Sequence, residues 1–319
     1  MPSFTLDDLV DAYTQVGTRN RVILEAFVLI AQRFRQQGIA FLVLKGADVI
    51  PRLYGVRGAR PISDVDLLVR ESDLPAIDRL LTNLGFTRQI DGNPSYTSSE
   101  RGLSLDLITT IWYLDRQGLA DVWSRAMMRP FGTTTICCLD TPDLLIYLTA
   151  YTVIHRGHLS ASFVHDMKLL IEKESPDWPV VIARTQQAGL QAPLHHGLNH
   201  VRKIFPSIAV PETVLKLSAL SNRNGQMLAW LFRKLVTTEP LAEIGHLLLF
   251  LTQPGLTKMI WLAQRLYPSP AFLSYRYGST ERTRLWRVRL SRWYHLTKAG
   301  LILSGRVLRR LITASRPRS

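Results

Sequence analysis

Apolar residues recur at helical spacing near the start of the chain, where Val22, Leu24, Ala26, Phe27 and Ile30 predict a helix over residues 5–37. The run IAFLVLKG breaks that period and reads as a buried strand ending in a glycine, with a short helix over 47–53 behind it. YGVRGARPIS, punctuated by Gly55, Gly58 and Pro61, predicts a turn, and DVDLLV a second strongly apolar strand. Helical spacing returns over 71–84 and stops at Gly85. Between 86 and 110 the pattern is that of further strands, with a turn at DGNP. In LSLDLIT, Leu103, Leu105 and Leu107 point one way while Ser104 and Asp106 point the other. Residues 1–140 therefore predict an α+β fold, a small mixed β-sheet with flanking helices and a helical lead-in.

From Thr141 the character changes. TPDLLIYLTAYTVIH opens with a capping Thr and a Pro at the first helical position, then runs apolar at helical spacing. Helices are predicted near 142–156, 160–174, 178–188, 191–205, 212–237, 240–251 and 256–266, with a basic helix over 281–313. The expected organisation is an α/β domain over 1–140, a mostly α-helical domain over 141–275 that closes a cleft, and a basic amphipathic C-terminal helix within 276–319.

Composition narrows the class. At 319 residues and 46% hydrophobic content the chain can bury a core without staples. Its two cysteines, Cys137 and Cys138, are adjacent and poorly placed to pair, so neither a disulfide framework nor a zinc cluster is expected, and a cytoplasmic compartment fits. MPSFTLDDLVDAYTQ lacks the pattern of a secretory signal, so none is expected, and no stretch reaches the roughly 18 apolar residues of a spanning helix. A soluble or peripheral protein is expected. Of the net charge of +14, residues 276–319 carry twelve Lys or Arg against the single Glu281, leaving +3 for the rest. Such a tail is expected to touch an anionic membrane surface or nucleic acid.

The chemistry concentrates in SDVDLLV. Asp64 and Asp66 are two apart on a predicted strand, so their carboxylates share a face. Such a pair is tolerable on a solvated strand end or around a hard divalent cation that also binds phosphates. Three neighbours favour the cation. Lys45 and Gly46 end the first strand just before a helix, where backbone N–H groups and an ammonium can hold a triphosphate. Arg60 adds a second cation, and Asp106 sits mid-strand, where a lone carboxylate is costly.

The order of a strand ending in glycine, a helix, D-h-D-h on a second strand and a later strand Asp resembles the polymerase-β-type nucleotidyltransferase superfamily. More closely, LKGADVIPRLYGVRGARPISDVDLLV, then Gly85-Phe86 and SLDL, is similar to the bacterial uncharacterised nucleotidyltransferase family. The helical segment PDLLIYLTAYTVIHRGHLSASFVHDMKLLI is similar to that family's second half, in which a His precedes a surface-facing segment and an Asp opens a later helix; His155 and Asp166 match these positions and are candidate substrate contacts. The resemblance implies that Asp64, Asp66 and Asp106 are catalytic and hold two Mg²⁺ ions (Mn²⁺ as a substitute), while Lys45, Gly46 and Arg60 bind the nucleotide. It implies transfer of a nucleoside monophosphate from an NTP such as ATP to a hydroxyl on a sugar, a lipid-linked molecule or a protein. A toxin-like enzyme acting on RNA or protein is a second reading. A catalytically degenerate scaffold or membrane adaptor is a third, because Ala47 stands where the superfamily has Gly or Ser and Ile108 where the family commonly has His.

Other residues carry weaker signals. His158 and His165 read as surface residues. His196 and His200 share one helix face without a third ligand and read as structural. In ERTRLWRVRLSRWYHLTK, basic residues alternate with Trp, Tyr and Leu, a composition that suits RNA, an anionic membrane surface or docking on the body.

Overall fold

A computed structural model describes residues 5–55, 58–91, 93–215, 223–252 and 282–313, with isolated positions between 259 and 273. The chain divides into two compact units, Met1–Leu144 and Leu145–Ser319.

The first unit is built on one mixed sheet in the order β3-β4-β5-β2-β1-β7-β6. Its strands are β1 (Phe41–Leu44), β2 (Val65–Val69), β3 (Thr87–Asp91), β4 (Asn93–Ser98), β5 (Leu103–Ile108), β6 (Met127–Phe131) and β7 (Thr134–Cys138). β1 and β2 are buried along their whole length. They occupy the middle of the sheet, which is why their sequences read as continuous apolar runs rather than alternating ones. β1 pairs antiparallel with β2 and parallel with β7, while β2 pairs parallel with β5.

One face of this sheet is covered by α1 (Leu6–Gln36). Thr5 caps it through a reciprocal capping box with Asp8. Its residues Ile23, Leu24, Phe27, Ile30, Ala31 and Phe34 join a core with Phe41, Val43, Val65, Leu67, Val69, Leu105 and Leu107. Phe27 packs edge-on against Phe41 and Phe131, at 6.2 and 5.5 Å between ring centroids. Since side chains alternate along a strand, the residues between these core positions point to the opposite face. Asp66 and Asp106 are among them. The alternation of β5, with Leu103, Leu105 and Leu107 buried and the residues between only half-buried, makes the same point locally.

The remaining helices of this unit are α2 (Gly46–Leu53), α3 (Leu74–Asn83) and α4 (Arg116–Arg125). The helix α5 (Thr141–Ala150) crosses the division between the units and runs on into a π turn over Tyr151–Arg156 that ends at Gly157. A single helix over 142–156 is therefore replaced by an α segment and a π turn. Gly157 has φ +67, and a Cβ there would fall 2.3 Å from Ile244, so the close approach requires glycine.

The second unit is helical: α6 (Ala161–Glu174), α7 (Trp178–Gln187), α8 (Gln191–Ile204), α9 (Glu212–Leu215), α10 (Arg223–Leu235), α11 (Ile244–Thr252) and α12 (Arg282–Thr313). The middle of the helix expected over 212–237 and most of that over 256–266 lie outside the described residues. No helix among the described residues is long and apolar enough to cross a membrane.

Candidate active site

The register of three strands assembles the acidic group. Leu44 of β1 lies opposite Asp66 of β2, and Asp66 opposite Asp106 of β5. Asp64, two residues before Asp66, projects from the same face. One carboxylate oxygen from each of Asp64, Asp66 and Asp106 comes within 4.8 Å of the others. It is the single group of this kind among the described residues. Ser63 Oγ donates to Asp64 Oδ1 at 3.0 Å.

The cation at the end of β1 faces this group. Lys45 Nζ lies 2.5 Å from Asp66 Oδ1. Lys45 is a non-glycine residue at φ 51 and ψ −130, at the N-cap position of α2. That sparsely populated conformation lets the chain turn sharply from β1 into α2. The start of α2 is also closely approached from the loop before β2. A Cβ on Gly46 would fall 2.4 Å from Ile62 Cγ2 and 2.6 Å from Arg60 Nη1, so the absence of a side chain at Gly46 is what admits the Arg60 guanidinium there. The same loop is tied to α1 by Asn20, which is fully buried. Asn20 Nδ2 donates to the Arg60 carbonyl at 2.7 Å, and Asn20 Oδ1 accepts from the Ile62 N–H at 3.2 Å.

Burial pushes the Asp66 carboxyl up to about 6, with Lys45 pulling it down and Asp64 and Asp106 pushing it further up. Burial also raises Asp106, reinforced by Asp64 and opposed by Lys45. The folded value of Asp66 lies above its ordinary 3.8, so between about pH 4 and pH 6 this carboxyl binds more protons in the folded than in the unfolded state. The contribution of Asp66 to the stability of the metal-free protein therefore falls as pH rises through that window, while the buried His196 contributes the opposite slope. In chelator, Asp66→Asn should therefore raise the thermal midpoint over that of the wild type, and by more at about pH 7 than at about pH 4. A pH slope unchanged by Asp66→Asn would assign it to other groups.

Lys45, Gly46, Arg60, Asp64, Asp66 and Asp106 thus gather in the first unit, whereas His155 and Asp166 belong to the second. His155 lies in the π turn, its ring stacked on Tyr151 with centroids 4.9 Å apart. Asp166 does not open its helix. Ser160 caps α6 by accepting from the Phe163 N–H, so Asp166 is the sixth residue of that helix, and it is buried. His196 is structural: its Nε2 contacts the Val236 carbonyl at 2.8 Å, and burial pushes its imidazole down to about 4. Cys137 and Cys138 are free thiols.

Two features of the site region are absent from the sequence reading. Asn20 could have been found as a polar residue on the apolar face of a helix, in line with Ile23, Leu24 and Phe27. The second is a buried ion pair on α2, between Asp48 and Arg52. Nothing in the local pattern marks it, since an i, i+4 acid and base ordinarily signal a solvated face.

No curated protein matches the chain. An antigenic nucleotidyltransferase-like protein from Paracoccidioides brasiliensis is similar in structure, with a TM-score of 0.45 and 16% identity over 62% of this chain and 92% of that one. The lincosamide antibiotic adenylyltransferase LnuA, solved with lincomycin bound, has a TM-score of 0.35 and 16% identity over 46% of this chain and 94% of that one. The antibiotic-resistance factor ANT(2'')-Ia has a TM-score of 0.39 and 16% identity over 58% and 99%. The sequence profile of the uncharacterised nucleotidyltransferase family matches residues 1–206, which include the whole acidic group and the cations around it. With more than half of its length matched, the chain belongs to the uncharacterised nucleotidyltransferase family.

Proposed function

We propose that this nucleotidyltransferase is metal-dependent and moves a nucleoside monophosphate from an NTP, ATP included, to the hydroxyl of a small, lipid-linked or peptide acceptor. The observation that carries the reading is the convergence of Asp64, Asp66 and Asp106 beside the first turn of α2, with Lys45 and Arg60 at the same place. Three hard carboxylate donors within 4.8 Å of one another fit Mg²⁺, with Mn²⁺ as a substitute and room in the donor chemistry for two ions. Such ions, when bound, supply charge neutralisation and in-line alignment at the α-phosphorus.

The chain's own residues do the rest. Lys45 and Arg60 neutralise phosphate oxygens. The N–H groups opening α2 donate to the same phosphates. Asp106 accepts the proton of the attacking hydroxyl as its oxygen bonds to the α-phosphorus and pyrophosphate leaves. His155 and Asp166 are the second unit's proposed contacts with substrate, and the burial of Asp166 makes His155 the more accessible of the two. A net charge of only +3 over residues 1–275 supplies little field to steer a long polyanion, which favours a small or peptide hydroxyl as acceptor.

The test is incubation with α-labelled triphosphates, Mg²⁺ and cell extract. Label should appear on a non-nucleic-acid molecule, disappear with chelator and return with Mn²⁺. Label on RNA ends would move the acceptor to nucleic acid. Absence of binding to all four common triphosphates at millimolar metal, by calorimetry, would replace the enzyme by an adaptor.

A further inference from the structure

The helix α12 carries nine Lys or Arg and no acidic residue over Arg282–Thr313. One of its faces is fixed within the second unit. Trp293 Nε1 donates to the Leu266 carbonyl at 2.8 Å, and Arg310 donates to the Leu235 carbonyl at 3.3 Å and to Thr237 Oγ1 at 3.1 Å. A second face is apolar and bare: Trp286, Leu290, Tyr294, Leu301, Leu308 and Ile312 are each at least 53% exposed. Their spacings of four and seven residues place them within an arc of about 80°, in a row about 39 Å long. Arg287 and Lys298, both exposed, stand along its edge. An exposed row of this length, apolar but for Thr297 and Ser304 within its arc, marks an interaction surface.

We propose that α12 lies flat in the interface of an anionic lipid bilayer, its apolar row at the acyl boundary and Arg287 and Lys298 against headgroup phosphates. The surface is amphipathic, its charges are all of one sign, and it is too polar to span. Trp286 and Tyr294 occupy the half nearer the start of the helix, as rings with one polar edge do at a headgroup boundary. RNA would satisfy the cations and these two rings but leaves Leu301, Leu308 and Ile312 without a partner. A second copy of the chain offers the opening turns of α1, where Leu6, Leu9, Val10 and Tyr13 are exposed beside Asp7, Asp8 and Asp11. That patch covers only about two turns, against the seven of α12. The proposal uses no step of nucleotide transfer.

The experiment is co-flotation of the full chain with vesicles of phosphatidylcholine alone or with about 30 mol% phosphatidylglycerol. Binding should require the anionic lipid and weaken as salt rises. The pair Arg287→Glu/Lys298→Glu should lower partitioning more than about tenfold, each cation near an anionic leaflet being worth about fivefold. Leu290→Asp/Leu301→Asp should lower it at least as far. Neither pair should shift the thermal midpoint, because all four side chains are exposed. No binding to either vesicle, or equal binding to both, would overturn the proposal. So would RNA binding lost in Arg287→Glu/Lys298→Glu with no vesicle binding, or a concentration-dependent dimer lost in Leu290→Asp/Leu301→Asp.

Discussion

Asp66→Ala should cut metal-dependent nucleotide transfer by at least about a thousandfold, and Asp64→Ala should do the same, both with the fold retained. A thousandfold is about 4 kcal/mol of transition-state stabilisation, within what a metal clamp on a transferring phosphoryl group supplies. Each carboxylate is one of only three hard donors in the group, so losing one removes a large share of the charge that holds the ion. The fold should survive because these side chains lie on the sheet face away from the core that α1 covers. Asp66 is also raised to about 6 in the folded protein, so removing its charge relieves the metal-free state. Loss of activity together with unchanged or higher stability is the signature of a functional carboxylate. The measurement is single-turnover transfer of labelled nucleotide beside thermal denaturation. Full activity in either variant would sink the proposed chemistry.

Much of this site is legible in the sequence because it sits on strongly periodic elements. The long helix announces itself by its helical period and β1 and β2 by uninterrupted apolar runs, and the two-residue spacing of Asp64 and Asp66 fixes their common face. Asp106 follows from the alternation of LSLDLI. What is not legible is what depends on register between distant segments. That Lys45 reaches Asp66 requires β1 to lie antiparallel beside β2 with Leu44 opposite Asp66. Asn20 and Arg60 are forty residues apart, and only folding brings one to the other.

The hairpin of β6 and β7 and the helix α4 are equally hidden. MMRPF carries Pro130 and exposed Met127 and Met128, as an edge strand can. α4 buries only Val122, too little to show a helical stripe. The π turn after α5 continues the buried run of that helix through Thr152, Val153 and Ile154, so the burial pattern does not separate the two. Close approach, at Gly157 against Ile244, does.

Arg52→Ala should destabilise the protein by about 3–5 kcal/mol, although Arg52 lies outside the acidic group. Arg52 and Asp48 form an i, i+4 pair on α2 with both side chains 1% exposed. Arg52 Nη1 also donates to the Leu139 carbonyl at 2.9 Å, and Nη2 to Thr141 Oγ1 at 2.9 Å, so the guanidinium ties α2 to the segment leaving β7. Truncation leaves the Asp48 carboxyl with only the Cys138 thiol and the charge of Arg129 to offset its burial. Burial already raises that carboxyl, with Arg52 the main group holding it down, so in the variant it must protonate or remain a buried charge that has lost its main counter-charge. Arg52→Met/Asp48→Asn removes both charges with little loss of volume and should recover much of the stability. A single-variant loss under about 1 kcal/mol in denaturant titration would mean that water relaxes the site. The same anchor bears on function, because α2 carries Gly46 in its first turn and follows directly on Lys45. Stability rescued by the double variant without recovery of transfer would mean that the ion pair fixes the angle at which α2 presents that turn to the nucleotide. Recovery of both would mean that any well-packed anchor suffices.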